Sequence, residues 1–168
     1  MLETERLYLA KARESDWEPM LRNVWSHPES ARYMTWRVTE TEEDAKARIL
    51  RTLEFQKTHN TYFVYEKVSG EPIGFAGAEE IEPGVWEESG ICLGPAFTGK
   101  GCGREILRLL IDRAKAHGAK EFRYFAWEEN AASRGLAASF GFVPFETEDC
   151  VDERSGAPYR RIRFRLEL

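Results

Sequence analysis

Three glycines alternate with larger residues in the segment 98–103, Thr-Gly-Lys-Gly-Cys-Gly. Because glycine has no side chain, a turn built from it lets backbone N–H groups approach a ligand closely. A predicted helix follows the turn, and its first N–H groups are unpaired and lie at the positive end of the helix dipole. The segment therefore predicts a phosphate-binding site. A turn that only permits close packing is the alternative.

Two other phosphate-binding motifs do not fit this segment. In a P-loop the Gly-Lys pair is followed by Ser or Thr, whereas Gly101 follows Lys100. A dinucleotide-binding fingerprint places its third glycine where Arg104 stands, and it needs a parallel strand–helix–strand unit around it. The spacing thus excludes both motifs and leaves a different kind of phosphate site.

The elements that must position this turn begin with two predicted helices. Ser15 and Glu18 have the spacing of a capping box at the start of the first helix. A loop is expected at residues 27–28, and the second helix is expected to begin near Thr39 or Thr41. The residues expected on the buried faces of these helices are Trp17, Met20, Leu21, Val24, Ala45, Ile49, Leu50 and Leu53.

The other segments show the alternation of strands or the period of helices. Short turns join three of the strands into an antiparallel meander, which ends where Gly94-Pro95 interrupts the pairing. The expected order is β-α-α-β-β-β-α-β-α-β-β, a mixed, mostly antiparallel sheet of about seven strands flanked by about four helices. This is an α/β (α+β) fold in a single domain of residues 1–168. The predicted strands are 6–12, 62–68, 72–80, 85–93, 121–127, 142–147 and 159–168, and the later helices are 103–117 and 131–140.

Charge and hydropathy restrict the class of partner. The chain of 168 residues has a net charge of −5, which is unfavourable for nucleic acid because phosphate binding requires a basic face. Its basic run at residues 160–165 alternates with apolar residues, as is typical of the outer face of a strand. No apolar run is long enough to span a membrane, and the first residues lack the pattern of a signal peptide. We therefore expect a cytoplasmic protein that binds neither nucleic acid nor membrane.

The cysteines and histidines predict no metal site. Cys92, Cys102 and Cys150 are too far apart for a C-x-x-C pair, and the three histidines are scattered. We expect the cysteines to be reduced thiols. Cys92 and Cys102 leave an acyl-cysteine mechanism open, but the pattern suggests no His or acidic partner for either thiol.

The segment 88–103, Glu-Ser-Gly-Ile-Cys-Leu-Gly-Pro-Ala-Phe-Thr-Gly-Lys-Gly-Cys-Gly, resembles the central motif of the GNAT acetyltransferases. In that family a Q/R-x-x-G-x-G/A turn wraps the pyrophosphate of coenzyme A. The preceding strand splays from its neighbour in a V and pairs with the pantetheine arm. Thr98 departs from the motif, since Gln, Arg or Trp usually stands there, and this removes a side-chain contact but no main-chain contact. The resemblance implies acetyl-CoA as the cofactor, held at Ile91, Cys92, Leu93, Thr98, Gly99, Lys100, Gly101, Cys102 and Gly103.

Three further segments resemble the same family. Residues 130–133 and 139–142 are similar to its N-x-x-S … G-F segment, which implies that Asn130 and Ser133 bind near the pantetheine. A plain helix cap is the alternative for Asn130. Residues 27–36 resemble the D/H-P-E-x-x-R-Y-M-x-W element of the RimJ/RimL-like branch, which is related to ribosomal-protein N-terminal acetyltransferases. The start of the chain is similar to that branch as well, so the resemblance covers essentially the whole sequence.

Acetyl transfer to an amine needs a neutral nitrogen. At pH 7, deprotonation costs about 4.6 kcal/mol for an amine of pKa near 10.4 and about 1 kcal/mol for an α-amine of pKa near 7.7. A base, an oxyanion donor and an acid for the departing thiolate therefore help. By resemblance Glu88 is the expected base, acting through a water, and Ser133 is the expected acid. A solvent-facing Glu88 and a structural Ser133 are the alternatives, and the expected oxyanion donor is the backbone N–H of Cys92 or Leu93.

The expected acceptor pocket is aromatic. The first helices cover the acceptor side in the family, so the pocket is expected to contain Glu88 and the rings of Trp25, Tyr33, Trp36 and Phe55. Aromatic residues at helical spacing are also typical of a hydrophobic core, which is the alternative.

The predicted function is the transfer of acetyl from acetyl-CoA to a primary amine, by direct attack in a ternary complex. The amine belongs to a peptide or protein N-terminus or to a small molecule. An acetyltransferase for an antibiotic, polyamine or amino acid and a non-catalytic acyl-CoA-binding module are the alternatives. We expect a monomer or a homodimer.

Overall fold

A computed structural model describes residues 2–168 and contains one eight-stranded sheet. The strands are β1 Leu2–Glu3, β2 Leu7–Ala10, β3 Thr61–Glu66, β4 Pro72–Glu82, β5 Val85–Leu93, β6 Glu121–Trp127, β7 Val143–Val151 and β8 Pro158–Glu167. Their order in the sheet is β1-β2-β3-β4-β5-β6-β8-β7, and all neighbours are antiparallel except β5 and β6. The predicted α/β class with a mixed, mostly antiparallel sheet is confirmed.

Five α-helices lie within the same described residues. They are α1 Trp17–Met20, α2 Pro28–Ala31, α3 Glu42–Gln56, α4 Cys102–Ala116 and α5 Ala131–Ser139. Of the two starts predicted for α3, the later one is observed, because the Thr41 side chain caps the helix and accepts a hydrogen bond from the Asp44 N–H at 3.1 Å. None of the helices within residues 2–168 has the length and apolar character needed to cross a membrane.

The sheet and the set of helices each contain one element more than predicted. β1 has only two residues, which is too short to show alternation, and it pairs Leu2 with Leu9 of β2. α2 occupies the segment that was predicted as a loop after His27. Pro28 stands at the first position of α2, where its missing N–H would be unpaired in any residue.

The first helical region does not begin with the predicted capping box of Ser15 and Glu18. A 3₁₀ turn, Glu14–Asp16, precedes α1, so Ser15 lies inside the helical region and not before it. The capping role falls to Asp16, whose carboxylate accepts a hydrogen bond from the Arg13 backbone N–H at 2.7 Å. The prediction was wrong because the helical region starts one turn earlier than its apolar period suggests.

Helices cover both faces of the sheet. The face on which α4 and α5 pack, here named the α4 face, has a buried core that includes Leu7, Val64, Ile106, Leu110 and Phe122. The opposite face, here named the α3 face, is covered by α1 and α3, and its core includes Met20, Trp25, Ile49, Phe63 and Cys92. Leu50 was predicted to be buried on α3 but is 54% exposed, because the next position along the helix from Ile49 points away from the sheet.

A β-bulge in β5 changes which face its residues reach. The pairing register shifts between Ala76 and Ala78 of β4, where β5 has one extra residue. Gly90 lies in the bulge with φ of 123°, a conformation that favours glycine. Trp86, before the bulge, is buried on the α4 face, whereas Cys92, after it, is buried on the α3 face. In a regular strand two residues six positions apart would share a face.

The parallel strands β5 and β6 separate soon after they meet. Within residues 2–168 their pairing is limited to Val85 with Glu121, Trp86 with Phe122, and Glu87 with Arg123. Both strands continue beyond these pairs, β5 to Leu93 and β6 to Trp127. The predicted V-shaped gap between them therefore opens at Glu88, next to the bulge.

Candidate active site

The glycine-rich turn before α4 has a backbone that glycine adopts easily and other residues do not. Gly99 has φ of 70° and Gly101 φ of 84°. Among residues 2–168, none accepts a hydrogen bond from the backbone N–H groups of residues 99–103, and Glu105 is the first to donate, to the Gly101 carbonyl at 3.2 Å. The Thr98 hydroxyl turns back to a preceding carbonyl at 3.0 Å. A row of backbone donors is therefore available to an anion at the N-terminus of α4.

The start of the chain holds this turn from one side. Arg6 Nη2 donates to the Lys100 carbonyl at 2.9 Å, and the same guanidinium forms an ion pair with Glu105 in the first turn of α4. The Thr4 hydroxyl donates to the Glu105 carboxylate at 2.6 Å. The charge of Glu105 would oppose an anion at this helix terminus, and Arg6 compensates it. Sequence reasoning missed this support because its partners lie 94 to 101 residues apart.

Beyond the bulge, the peptide groups of β5 alternate between β4 and the gap. The Gly94 N–H donates to a β4 carbonyl at 2.9 Å. Because peptide groups alternate in direction along a strand, Cys92 also faces β4, whereas Ile91 and Leu93 face away from it. Accordingly, the Leu93 carbonyl accepts a hydrogen bond from the Ser30 hydroxyl at 3.2 Å. Of the two predicted oxyanion donors, Leu93 has its N–H directed toward the gap.

Glu88 lies at the apex of the gap with 4% of its surface exposed. Its carboxylate accepts a hydrogen bond from the Gly90 N–H at 2.6 Å. Burial raises the pKa of Glu88 to about 8, although the backbone N–H groups of Gly90 and Phe125 act in the opposite direction. The alternative of a solvent-facing Glu88 is therefore wrong. A carboxyl group that titrates near neutral pH is suited to accept and release a proton there.

Ser133 lies beside a tyrosine that the sequence analysis did not identify. Its hydroxyl is 2.5 Å from that of Tyr124, which is buried on β6. Burial, followed by the nearby charge of Glu88, raises the pKa of Tyr124, so the phenol stays protonated. Asn130 caps α5, and its side-chain oxygen accepts a hydrogen bond from the Ser133 N–H at 3.1 Å. The alternation of β6 places Tyr124 on the same face as Phe122 and Ala126, and this pattern could have indicated that Tyr124 is buried.

The thiols are poorly placed for nucleophilic attack. Burial raises the pKa of Cys92 to about 12, and its thiol contacts the Ser30 carbonyl at 3.4 Å. Burial also raises the pKa of Cys102, whose side chain packs in the core of the α4 face. A thiol that stays protonated is a weak nucleophile. Within residues 2–168, no cluster of three or more His, Cys, Asp or Glu residues is arranged to hold a metal ion.

A cavity of about 730 Å³ opens on the α3 face beside the bulge. Ser89, a bulge residue, contributes to its wall, as do residues of α3 and β3. Of the aromatic residues predicted for the acceptor pocket, Trp25, Trp36 and Phe55 line this cavity. Its size is typical of sites for small ligands or for the end of a peptide.

Two residues predicted for the pocket lie elsewhere. The ring of Tyr33 packs edge-on against Trp127, with 5.9 Å between ring centroids, and does not line the cavity. Glu88 does not line it either, because its side chain is buried at the gap while the neighbouring Ser89 faces the cavity.

A distant hairpin holds the loop that carries Trp36. Arg154, between β7 and β8, donates through Nη1 to the Ala31 carbonyl at 2.8 Å and to the Trp36 carbonyl at 2.9 Å. The Asp152 carboxylate holds the same guanidinium in a two-point contact at 2.9 and 3.0 Å. Hydrogen bonds from Arg154 lower the pKa of Asp152 to about 2, so the pair stays charged at neutral pH. The β7–β8 hairpin thus fixes one wall of the cavity.

The family follows from a comparison with known domains. Residues 6–143 match the family model described as an acetyltransferase (GNAT) domain. Because this span includes most of the chain, the protein belongs to the GNAT acetyltransferase family, which is a family of acyltransferases. No curated protein matches the sequence at a significant level.

Solved structures share the fold at low sequence identity. A proposed ribosomal-protein-serine acetyltransferase from Vibrio cholerae is 19% identical, with a TM-score of 0.81 over 99% of this chain and 97% of that one. The microcin C7 self-immunity acetyltransferase MccE, in complex with acetyl-CoA and AMP, is 17% identical, with a TM-score of 0.82 over 98% and 94%. YncA from Salmonella typhimurium, with its cofactor acetyl-CoA, is 21% identical, with a TM-score of 0.70 over 96% and 94%. At these identities the similarity establishes the fold.

Proposed function

We propose that this chain transfers the acetyl group of acetyl-CoA to a primary amine by direct attack within a ternary complex. The observation that carries the proposal is the gap between β5 and β6. Glu88, Tyr124 and Ser133 lie along this gap, and the end of β5 leads from it to the free N–H groups of residues 99–103. MccE and YncA, which share the fold, are solved with acetyl-CoA.

The turn fits the pyrophosphate of acetyl-CoA. Its backbone donors have no partner among residues 2–168, and a Cβ atom at Gly99 would meet nothing within 4 Å. Lys100 is exposed and adds positive charge at the same place. Ile91 and Leu93 are proposed to offer their peptide groups to the pantetheine arm, and Asn130 to bind near it. When bound, acetyl-CoA supplies a thioester whose carbonyl carbon accepts the amine.

Glu88 is the proposed base and Ser133 the proposed acid. As the amine nitrogen bonds to the carbonyl carbon, its proton passes through a water to Glu88, and the carbon–sulfur bond breaks. The Leu93 N–H supports the developing charge on the oxygen. The sulfur takes a proton from Ser133, whose hydroxyl is hydrogen-bonded to Tyr124. Glu88 then passes its proton through solvent to Ser133, so that both groups return to their starting protonation states.

Two classes of acceptor are consistent with this site. The resemblance of residues 27–36 to the RimJ/RimL-like branch, and the fold shared with the Vibrio cholerae protein, support a peptide or protein N-terminus. The volume of the cavity also suits a small-molecule amine. The elevated pKa of Glu88 at the gap favours a catalytic protein over a module that only binds acyl-CoA.

Release of free coenzyme A thiol tests the reaction. Acetyl-CoA is incubated with the protein and with N-terminal peptides, amino acids, polyamines or aminoglycosides. We expect at least one class of amine to accelerate thiol release. Binding of acetyl-CoA by calorimetry without thiol release for any amine would show a binding module instead.

The Glu88→Gln variant tests the base. We expect turnover to fall by about a hundredfold or more while acetyl-CoA affinity is retained, because the amide cannot accept the proton. The ratio of wild-type to variant turnover should rise with pH up to about 8 and then level off, because the titration of the amine itself cancels in the ratio. Glu153→Gln, at an exposed residue of the β7–β8 loop, is the control and should match the wild type. A ratio near one at every pH would remove Glu88 from the mechanism.

A further inference from the structure

The cavity on the α3 face is positively charged. Three arginines, Arg37, Arg48 and Arg51, line it together with a single carboxylate, Asp44. That carboxylate accepts a hydrogen bond from the Thr41 hydroxyl at 2.8 Å at the start of α3. The other polar residues of the wall are neutral. A ligand in this cavity therefore meets an excess of positive charge.

Arg48 is the most enclosed of these cations. Its guanidinium contacts two indole rings, with its central carbon 4.6 Å from the centroid of Trp25 and 4.5 Å from that of Trp36. Its short hydrogen bond goes to the Thr39 hydroxyl at 2.9 Å, and a longer contact of 3.5 Å reaches the Arg37 carbonyl. These contacts fix the plane of the guanidinium, but within the described part of the chain most of its five N–H donors have no acceptor.

Among residues 2–168, no carboxylate acts as a charge partner of Arg48. Burial lowers the pKa of its guanidinium to about 10, and the like charge of Arg51 lowers it further. The neighbouring Cys92 thiol stays protonated and is therefore neutral. A guanidinium that is largely removed from water without a counter-ion is unfavourable, and pairing with an anion relieves that cost. Planar guanidinium groups bind carboxylate and phosphate through two parallel hydrogen bonds.

This cation is separate from the proposed phosphate site. The glycine-rich turn precedes α4 on the α4 face, whereas Arg48 belongs to α3 on the opposite face of the sheet. Ser89 in the bulge lines the same cavity as Arg48 and follows Glu88 directly in the chain. The wall of the cavity thus includes a bulge residue that adjoins the proposed base in the chain, and cationic side chains of α3.

We infer that the acceptor is an amine that also carries an oxyanion, a carboxylate or a phosphate, which pairs with Arg48 while the amine lies at the bulge near Ser89. This inference rests on the proposed acetyltransferase function. The positive wall also favours the neutral form of the amine, because a nearby like charge lowers its pKa. Polyamines and aminoglycosides, which carry several positive charges, are disfavoured in such a cavity.

Matched acceptors test the inference. Thiol release is compared for an amino acid or dipeptide with a free carboxylate, for its carboxamide, for an aminoalkyl phosphate and for a polyamine. We expect kcat/KM to be at least about tenfold higher for an oxyanion-bearing amine than for its neutral partner. The carboxylate and phosphate arms distinguish the two sources of the oxyanion.

Variants of Arg48 assign the effect to the cavity. Arg48→Gln should remove the preference for the charged amine, and Arg48→Lys should keep part of it. Lys46→Gln, on the exposed side of the same helix, has the same change in net charge and should keep all of it. If Arg48→Gln does not fold, as judged by circular dichroism, Arg51→Gln replaces it.

The outcomes separate the two proposals. Thiol release with charged and neutral amines at equal kcat/KM, or equal effects of Arg48→Gln and Lys46→Gln, would overturn the inference and leave the acetyltransferase function intact. Absence of thiol release with every amine would overturn the function itself.

Discussion

At the scale of single residues, burial decides what Glu88 can do. A glutamate on a solvent face is fully ionised at neutral pH, and its proton transfer would be coupled to bulk water. At the apex of the β5–β6 gap the same side chain has a pKa of about 8, because desolvation outweighs the hydrogen bonds that it accepts. Tyr124 lies next along the gap, and its raised pKa keeps the phenol protonated, with its hydroxyl 2.5 Å from that of Ser133. The carboxyl group of Glu88 and the phenol of Tyr124 therefore differ in protonation because their surroundings differ.

The buried Glu88 should make stability depend on pH. Its pKa rises from the usual 4.5 to about 8 in the native state, so between these values the native protein holds a proton that the unfolded chain has released. The free energy of unfolding should therefore fall as pH rises through this range, by up to about 1.4 kcal/mol per pH unit. Urea denaturation at several pH values measures this slope. In Glu88→Gln the corresponding part of the slope should vanish, and an unchanged slope would contradict the burial argument.

At the scale of elements, two glycine-dependent features create the site. The bulge at Gly90 shifts the register of β5, so that alternate side chains before and after it point to different faces of the sheet than in a regular strand. The turn at Gly99 and Gly101 exposes backbone donors before α4, and Arg6 holds its far side. Neither feature depends on a reactive side chain, which explains how Thr98 replaces the usual residue of the motif without loss of the main-chain donors.

Replacing Gly101 should separate backbone strain from ligand binding. Alanine in a left-handed conformation costs about 1–2 kcal/mol, and its Cβ atom would also lie 3.3 Å from Arg6 Nη2. We expect Gly101→Ala to lose stability and to bind coenzyme A about tenfold more weakly, since the loss of one charged hydrogen bond has that effect. Gly70→Ala is the control, because Gly70 also has a positive φ of 71° but has open space around it.

Thermal melting and calorimetry with coenzyme A measure the two effects of these variants. Both variants should melt at lower temperature than the wild type, and only Gly101→Ala should lose affinity. Equal affinity in the two variants would show that the turn does not hold the phosphates.

At the scale of the whole molecule, the two candidate binding features lie on opposite faces of the sheet. The turn and α4 lie on one face, and the cavity with Arg48 lies on the other. The gap between β5 and β6 lies between the two faces, because these strands stop pairing after Glu87 and Arg123. In the proposed reaction, acetyl-CoA and the acceptor would therefore bind together, each approaching from a different face. This arrangement favours direct transfer.

Initial-rate kinetics should reveal the ternary complex. Varying acetyl-CoA at several fixed acceptor concentrations is expected to give intersecting double-reciprocal lines. Parallel lines would instead indicate an acyl-enzyme intermediate. Cys92→Ala and Cys102→Ala should retain most of the turnover, because both thiols are buried and protonated. Parallel lines together with an inactive cysteine variant would contradict direct transfer.

The sequence by itself determined the features that depend on neighbouring residues. Alternation, helical period and turn residues are local properties, and they placed most strands and the helices α3, α4 and α5 within a few residues of their observed bounds. The glycine spacing likewise predicted the exposed backbone of the turn at residues 99–103, because glycine permits the positive φ angles that Gly99 and Gly101 adopt. Elements of one or two turns, such as α2, gave too little periodic signal.

Only the tertiary structure decided which side chains meet. Glu88 became buried because the bulge and the diverging strands enclose it, and this depends on pairing with β4 and β6. Tyr124 reaches Ser133 through the packing of α5, and Arg154 reaches the Ala31 carbonyl across 123 residues of chain. Contacts of this kind depend on how distant segments are brought together. Periodicity in the sequence indicates which residues face the core, but it does not indicate which distant residues they contact.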